Sequence, residues 1–80
     1  MRLDKYLKIS RIIKRRTVAN EACDAGRVIV NDKVARASYD VKIGDIIEIE
    51  FGARTVKVQV TLVAETVKKD DALSLYKIIE

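Results

Sequence analysis

The chain reads as an α+β domain, with two N-terminal helices followed by a small, mostly antiparallel sheet. Three features carry that expectation. Apolar residues recur at helical spacing as far as Ala25, strand-forming β-branched residues follow from Val28 and alternate at a period of two from Ile47 to Leu62, and turn formers at Gly26, Asn31-Asp32, Gly44-Asp45 and Gly52 separate the segments. Eighty residues with 49% hydrophobic content are enough for one core, so residues 1–80 are expected to form a single domain.

From Arg2 to Ser10, rotation by about 100° per residue gathers Leu3, Tyr6 and Leu7 into one stripe, while Arg2, Lys5 and Lys8 step by three along the opposite side. Arg11-Ile12-Ile13-Lys14 breaks the pattern and is expected to turn. A second helix runs from about Arg15 to Ala25, with Val18, Ala19, Ala22 and Cys23 on one side and Arg16, Thr17 and Asn20 on the other. Its small inner residues imply close helix packing, and Gly26 stands where a left-handed helix cap belongs.

Beyond Arg27 the pattern is that of strands. Val28-Ile29-Val30 is β-branched throughout, Asn31-Asp32 supplies a turn, and Lys33-Val34-Ala35 returns. Ser38 to Asp45 is irregular. Ile47, Ile49 and Phe51 alternate with Glu48 and Glu50, Gly52-Ala53-Arg54 reverses the chain, and Val56, Val58, Val60 and Leu62 form the partner strand. Lys68-Lys69-Asp70-Asp71 is expected to be a solvated loop, with Asp70 or Asp71 capping a short helical turn through Ala72-Leu73. Tyr76 to Ile79 reads as the last strand.

Composition excludes several kinds of chemistry. With no His and one Cys there is no donor set for a zinc site, no Ser-His-Asp or Cys-His machinery and no disulfide. No apolar run approaches the ~18 residues of a membrane span, and the charged N-terminus lacks the apolar block of a signal peptide. The expected compartment is the cytoplasm, with no cofactor and no membrane partner, and Cys23 reduced and buried.

Charge is unevenly placed. Residues 1–36 carry ten basic and four acidic side chains, a balance of +6, against six and eight, or −2, in residues 37–80. In the first sixteen residues Arg2, Lys5, Lys8, Arg11, Lys14, Arg15 and Arg16 face only Asp4. A basic end on a small domain is the footprint of a polyanion-binding surface.

The run Arg2-Leu3-Asp4-Lys5-Tyr6-Leu7, then Arg15-Arg16-Thr17, Gly26-Arg27-Val28-Ile29-Val30-Asn31 and Val41-Lys42-Ile43-Gly44-Asp45-Ile46-Ile47, resembles the S4 (alpha-L) RNA-binding domain over about residues 2–51. The segment from Ser10 to Glu21, the chain length, and the Val56 to Val60 strand followed by a charged loop and Ser74 to Ile79 are similar to the stand-alone RqcP family of ribosome-associated quality control, relatives of heat-shock protein fifteen. That resemblance implies a non-enzymatic factor on a large ribosomal subunit still holding peptidyl-tRNA. It would contact rRNA and tRNA and help a tailing factor of the RqcH/NEMF type extend the stalled chain with alanine. The chain departs from the S4 pattern in two places. Lys14 and Arg15 stand where Ser residues usually open the second helix, Ser10 lying too far upstream to cap it, and Ile43 replaces the usual Pro before Gly-Asp.

Arg2 and Lys5 are the leading phosphate contacts, Arg for its bidentate fork and Lys as a point charge. Arg16 ranks highest because it points outward at the start of the second helix, where the helix dipole also favours an anion. Arg15 lies closer to the apolar side, Arg11 and Lys14 follow in the turn, and Lys8 extends the basic stripe. Asp4 is expected to orient neighbouring cations. Thr17 and Asn20 read equally as hydrogen-bond donors to RNA and as solvated side chains. By the resemblance, Asn31 and Lys33 lie at a hairpin tip that closes the basic surface, although Asn31 serves equally well as a left-handed turn residue. Tyr6 belongs to the core, and Tyr39 is a candidate for base stacking.

Four aromatic residues make a base-reading platform a poor fit, so the expected mechanism is recognition of folded RNA shape through phosphates by a monomer. Three other readings compete: an rRNA binder that recycles stalled large subunits without tailing, a fragment of a longer RNA-modifying enzyme, and a basic helix lying on an acidic membrane.

Overall fold

The computed structural model describes residues 1–64 and 69–79, the side chains of Lys69, Asp70 and Leu73 excepted. Helix α1 spans Leu3–Ile9 and buries Leu3, Tyr6 and Leu7 completely, the stripe that the 3.6-residue period requires. Ser10 is its C-cap, and Arg11 follows in the left-handed region at φ 64°, its N–H bonded to the Lys8 carbonyl. A non-glycine residue therefore fills the position where glycine is cheapest.

Helix α2 spans Arg16–Asp24 and ends in a Schellman motif. Gly26 at φ 75° donates its N–H to the Cys23 carbonyl, and Arg27 donates to Ala22. Ala19 and Cys23, one turn apart, form the buried seam. Val18, expected on the inner face, is 45% exposed: it stands about 100° from Ala19 and clears the contact. Arg15 is the N-cap and makes no side-chain capping bond, and Ser10 instead donates its hydroxyl to the Leu7 carbonyl.

Five strands, β1 (Val28–Val30), β2 (Lys33–Val34), β3 (Ile46–Phe51), β4 (Arg54–Val60) and β5 (Tyr76–Ile78), form one antiparallel sheet in the order β2-β1-β3-β4-β5. The register Val28↔Ile49, Val30↔Ile47 and Ile47↔Val58 puts these side chains on one face, where they join Leu3, Tyr6 and Leu7 in the core. The other face carries the row Ile29, Glu48 and Lys57, with a 3.4 Å ion pair between the last two. Asn31 and Asp32, both at positive φ (51° and 70°), make the two-residue turn between β1 and β2.

Besides the ends of β2 and β5, which fall one residue short of expectation, three boundaries differ. Arg54 belongs to β4 rather than to the reversal, because it pairs with Phe51. β4 ends at Val60, since the N–H groups of Thr61 and Leu62 both turn to the Leu75 carbonyl. Lys69 to Asp71 belong to a 3-10 helix, Lys69–Leu75, so Asp70 and Asp71 lie within the helix rather than ahead of it. Buried Ala72 and Leu75 show why: the segment packs one side inward, and a charged run in sequence does not by itself make a loop. Lys68 lies outside the described residues. Tyr6 reaches across the core to donate its hydroxyl to the Leu75 carbonyl at 2.6 Å, tying α1 to this C-terminal segment.

Candidate nucleic-acid interface

The start of α1 is docked on the loop that follows β2. Leu3 N–H bonds to the Tyr39 carbonyl, Asp4 N–H to Ala37, and Val41 N–H to the Met1 carbonyl, at 2.8, 3.2 and 2.8 Å. This short ladder brings Arg2, at the head of α1, beside residues 36–39 of a segment with no periodicity of its own.

Asp4 is the organising group. It is 3% exposed, and its carboxylate accepts bonds from Arg2 Nε (3.1 Å), the Lys5 N–H (2.8 Å) and Asn20 Nδ2 (3.2 Å), with Arg16 Nε at 3.5 Å. Burial works against its charge, but hydrogen bonds from Arg2, Asn20 and Arg16, together with the Arg16 charge, outweigh it and hold the carboxyl below its ordinary 3.8. Arg2 and Arg16 remain about half exposed, at 51% and 48%. Each is gripped at the Nε edge, so a buried anion fixes two guanidiniums from different helices on one surface. That is the arrangement a phosphate-reading face needs: cations oriented by the protein and open to solvent.

Around this pair the other expected residues divide. Lys8, Lys14, Arg15 and Thr17 are exposed, and Lys5 is half-buried beside Asp4. Asn20, expected to point away from the packed side, is half-buried and committed to Asp4: one turn after Arg16, it lies on the same edge of the helix seam. Lys33 is exposed on β2. Asn31 is engaged within the fold. Its amide nitrogen donates to Asp45 Oδ1 at 3.1 Å and its oxygen accepts the Ile46 N–H at 3.0 Å. Tyr39 is half-buried and donates its hydroxyl to Asp45 Oδ2 at 2.8 Å, a bond that, with burial, raises its pKa. Arg11 lies apart from the Asp4 group, in a groove with Ile12, Phe51, Arg54 and Ile78.

Arg36 was not singled out from the sequence, yet it lines a groove with Arg2 and Asn20. Only the count of basic residues in the first 36 pointed toward it, because the loop that carries it shows no pattern. Cys23 is buried, which, with the nearby carboxylates of Asp4 and Asp24, pushes its thiol up to about 11, far from a reactive thiolate. Among the described residues no cluster of three or more His, Cys, Asp or Glu side chains is placed to hold a metal ion, and no helix is long and apolar enough to cross a membrane.

Comparison with known proteins identifies the family and the fold. The family model of the S4 domain matches residues 1–47. A protein of Halalkalibacterium halodurans named RQC P-site tRNA stabilizing factor is 54% identical over 78 residues, 98% of this chain and 89% of the relative. One of the same name from Bacillus subtilis is 50% identical over 80 residues, covering 100% and 93% of the two chains. The trimeric structure of heat shock protein 15 from Vibrio cholerae superposes with a TM-score of 0.90 at 28% identity, over 98% of this chain and 80% of that one. The chain belongs to the S4-domain family and, within it, to the family of the RQC P-site tRNA stabilizing factors.

Proposed function

We propose that this protein is a non-enzymatic RNA-binding factor of ribosome-associated quality control. It binds the large ribosomal subunit and its P-site peptidyl-tRNA in the cytoplasm as a monomer, through contacts to rRNA and tRNA, and so supports C-terminal alanine tailing of the stalled chain by a factor of the RqcH/NEMF type. The observation that carries this reading is the Asp4 group, which holds Arg2 and Arg16 side by side and half exposed. The names of the relatives support the P-site tRNA as the ligand. The two packed helices, joined here through Asp4, present cations to phosphates on more than one strand, with Lys8, Lys14 and Arg15 as outer contacts. Five phosphate contacts give a log-log salt slope of about −4.

Sedimentation of tagged protein through a sucrose gradient tests the reading. Wild type should travel with large subunits carrying tRNA, and Arg16→Ala should stay at the top. Wild type that stays with free protein at low salt would sink it. Likeness to heat shock protein 15 supports a second reading, recycling of stalled large subunits without tailing. Alanine tails on a stalled reporter that persist after deletion of this protein would favour that one.

A further inference from the structure

Beside the Asp4 group lies a groove of about 500 Å³ lined by Lys33, Val34, Ala35, Arg36, Ser38 and Tyr39, among others. Val34, opposite Ile29 on the two-residue edge strand β2, is 65% exposed and supplies apolar surface between Lys33 and Arg36 in sequence. The groove's partner is set by three observations. Its walls combine apolar surface with Lys33 and Arg36, and no carboxylate lines it. Its volume falls in the range of small-ligand pockets, roughly 300–1,000 Å³. It is continuous with the phosphate-reading face, because Val34, Ala35, Arg36 and Ser38 also line the adjoining groove that contains Arg2 and Asn20.

We infer that this groove receives an unpaired nucleotide of the bound RNA. The base rests on Val34 and Ala35 beside the Tyr39 ring, and the flanking phosphates meet Lys33 and Arg36. Single-stranded bases splayed from a structured RNA are recognised in this way, by apolar and aromatic contact with cations at the rim. The inference rests on the RNA-binding reading above. It adds that recognition is not by duplex shape alone and that Arg36 and Val34 take part.

Ultraviolet cross-linking of the full chain to large subunits with 4-thiouridine-labelled rRNA and tRNA, read by mass spectrometry of the protein, tests it. The expected result is nucleotide adducts on residues 33–39 as well as on the Arg2 to Arg16 segment. Val34→Glu, on an exposed side chain and so harmless to folding, should cut the groove adducts by about tenfold while leaving those around Arg2 and Arg16, a loss of about 1.4 kcal/mol confined to the groove. Adducts confined to the Arg2 to Arg16 segment, or groove adducts unchanged by Val34→Glu, would overturn the inference and leave RNA binding intact. No adducts anywhere, without co-sedimentation, would remove the RNA-binding reading and the inference with it.

Discussion

Two buried aspartates do different work in this small domain. Asp4 and Asp45 are 3% and 8% exposed, each accepts several hydrogen bonds, and each is held below its ordinary pKa although burial opposes the charge. Asp45 gathers groups that belong to the fold: the Asn31 amide, the Tyr39 hydroxyl and the Lys42 N–H at 3.1, 2.8 and 2.9 Å. Asp4 gathers two half-exposed guanidiniums from separate helices. Where the donors are neutral and short, a buried carboxylate staples loops. Where they are long cations anchored at one edge, it aims charge at solvent, and stability and function then separate by residue.

The contrast predicts that Asp45→Ala has the largest effect on stability. Three donors lose their acceptor, a cost of about 3 kcal/mol or roughly 10–20 °C in a domain of this size. Affinity for large subunits measured well below the melting temperature should stay within about threefold. Thermal unfolding followed by circular dichroism checks the first part, and an affinity loss as large as that of the arginine variants would erase the distinction. Arg16→Ala should do the reverse: affinity about tenfold lower, or ~1.4 kcal/mol, with the melting temperature changed by only a few degrees, since a half-exposed ion pair contributes about 1 kcal/mol or less.

Acid should act on both carboxylates together. Each has a folded pKa below 3.8, so its contribution is present above about pH 4 and is lost as pH falls through the folded values. Stability measured from pH 7 down to 5 should therefore stay flat and then decline, and a marked loss above pH 5 would show that another group controls it. The smallest effect belongs to Arg11→Gly. Relieving a left-handed backbone at φ 64° should gain about 0.5–1 kcal/mol, visible as a slightly higher denaturant midpoint.

The sequence made the helices and strands legible because their burial is periodic. Leu3, Tyr6 and Leu7, and Ile47 and Ile49 opposite Val58, lie buried where the pattern put them. Turn chemistry was equally plain at Gly26 and Asn31-Asp32. Errors fell where tertiary contacts decide. Val18 clears the helix seam by one step of rotation, and the charged run at Lys69 to Asp71 is helical because Ala72 and Leu75 anchor it. Within the candidate site, Asp4's orienting role was readable from its isolation among seven cations. Arg36 and the groove at Val34 were not, because a non-periodic loop takes its position from the backbone ladder to Met1, Leu3 and Asp4, which no local pattern encodes.

The central claim is that Asp4 aims Arg16 at RNA, and a double-mutant cycle on binding to tRNA-bearing large subunits tests it most directly. Asp4→Ala and Arg16→Ala should each weaken binding, and the double variant should lose about 1 kcal/mol less than the two single losses combined, because an unaimed arginine has little left to lose. Losses that simply add, or an Asp4→Ala variant that binds more tightly because it carries less negative charge, would contradict the account.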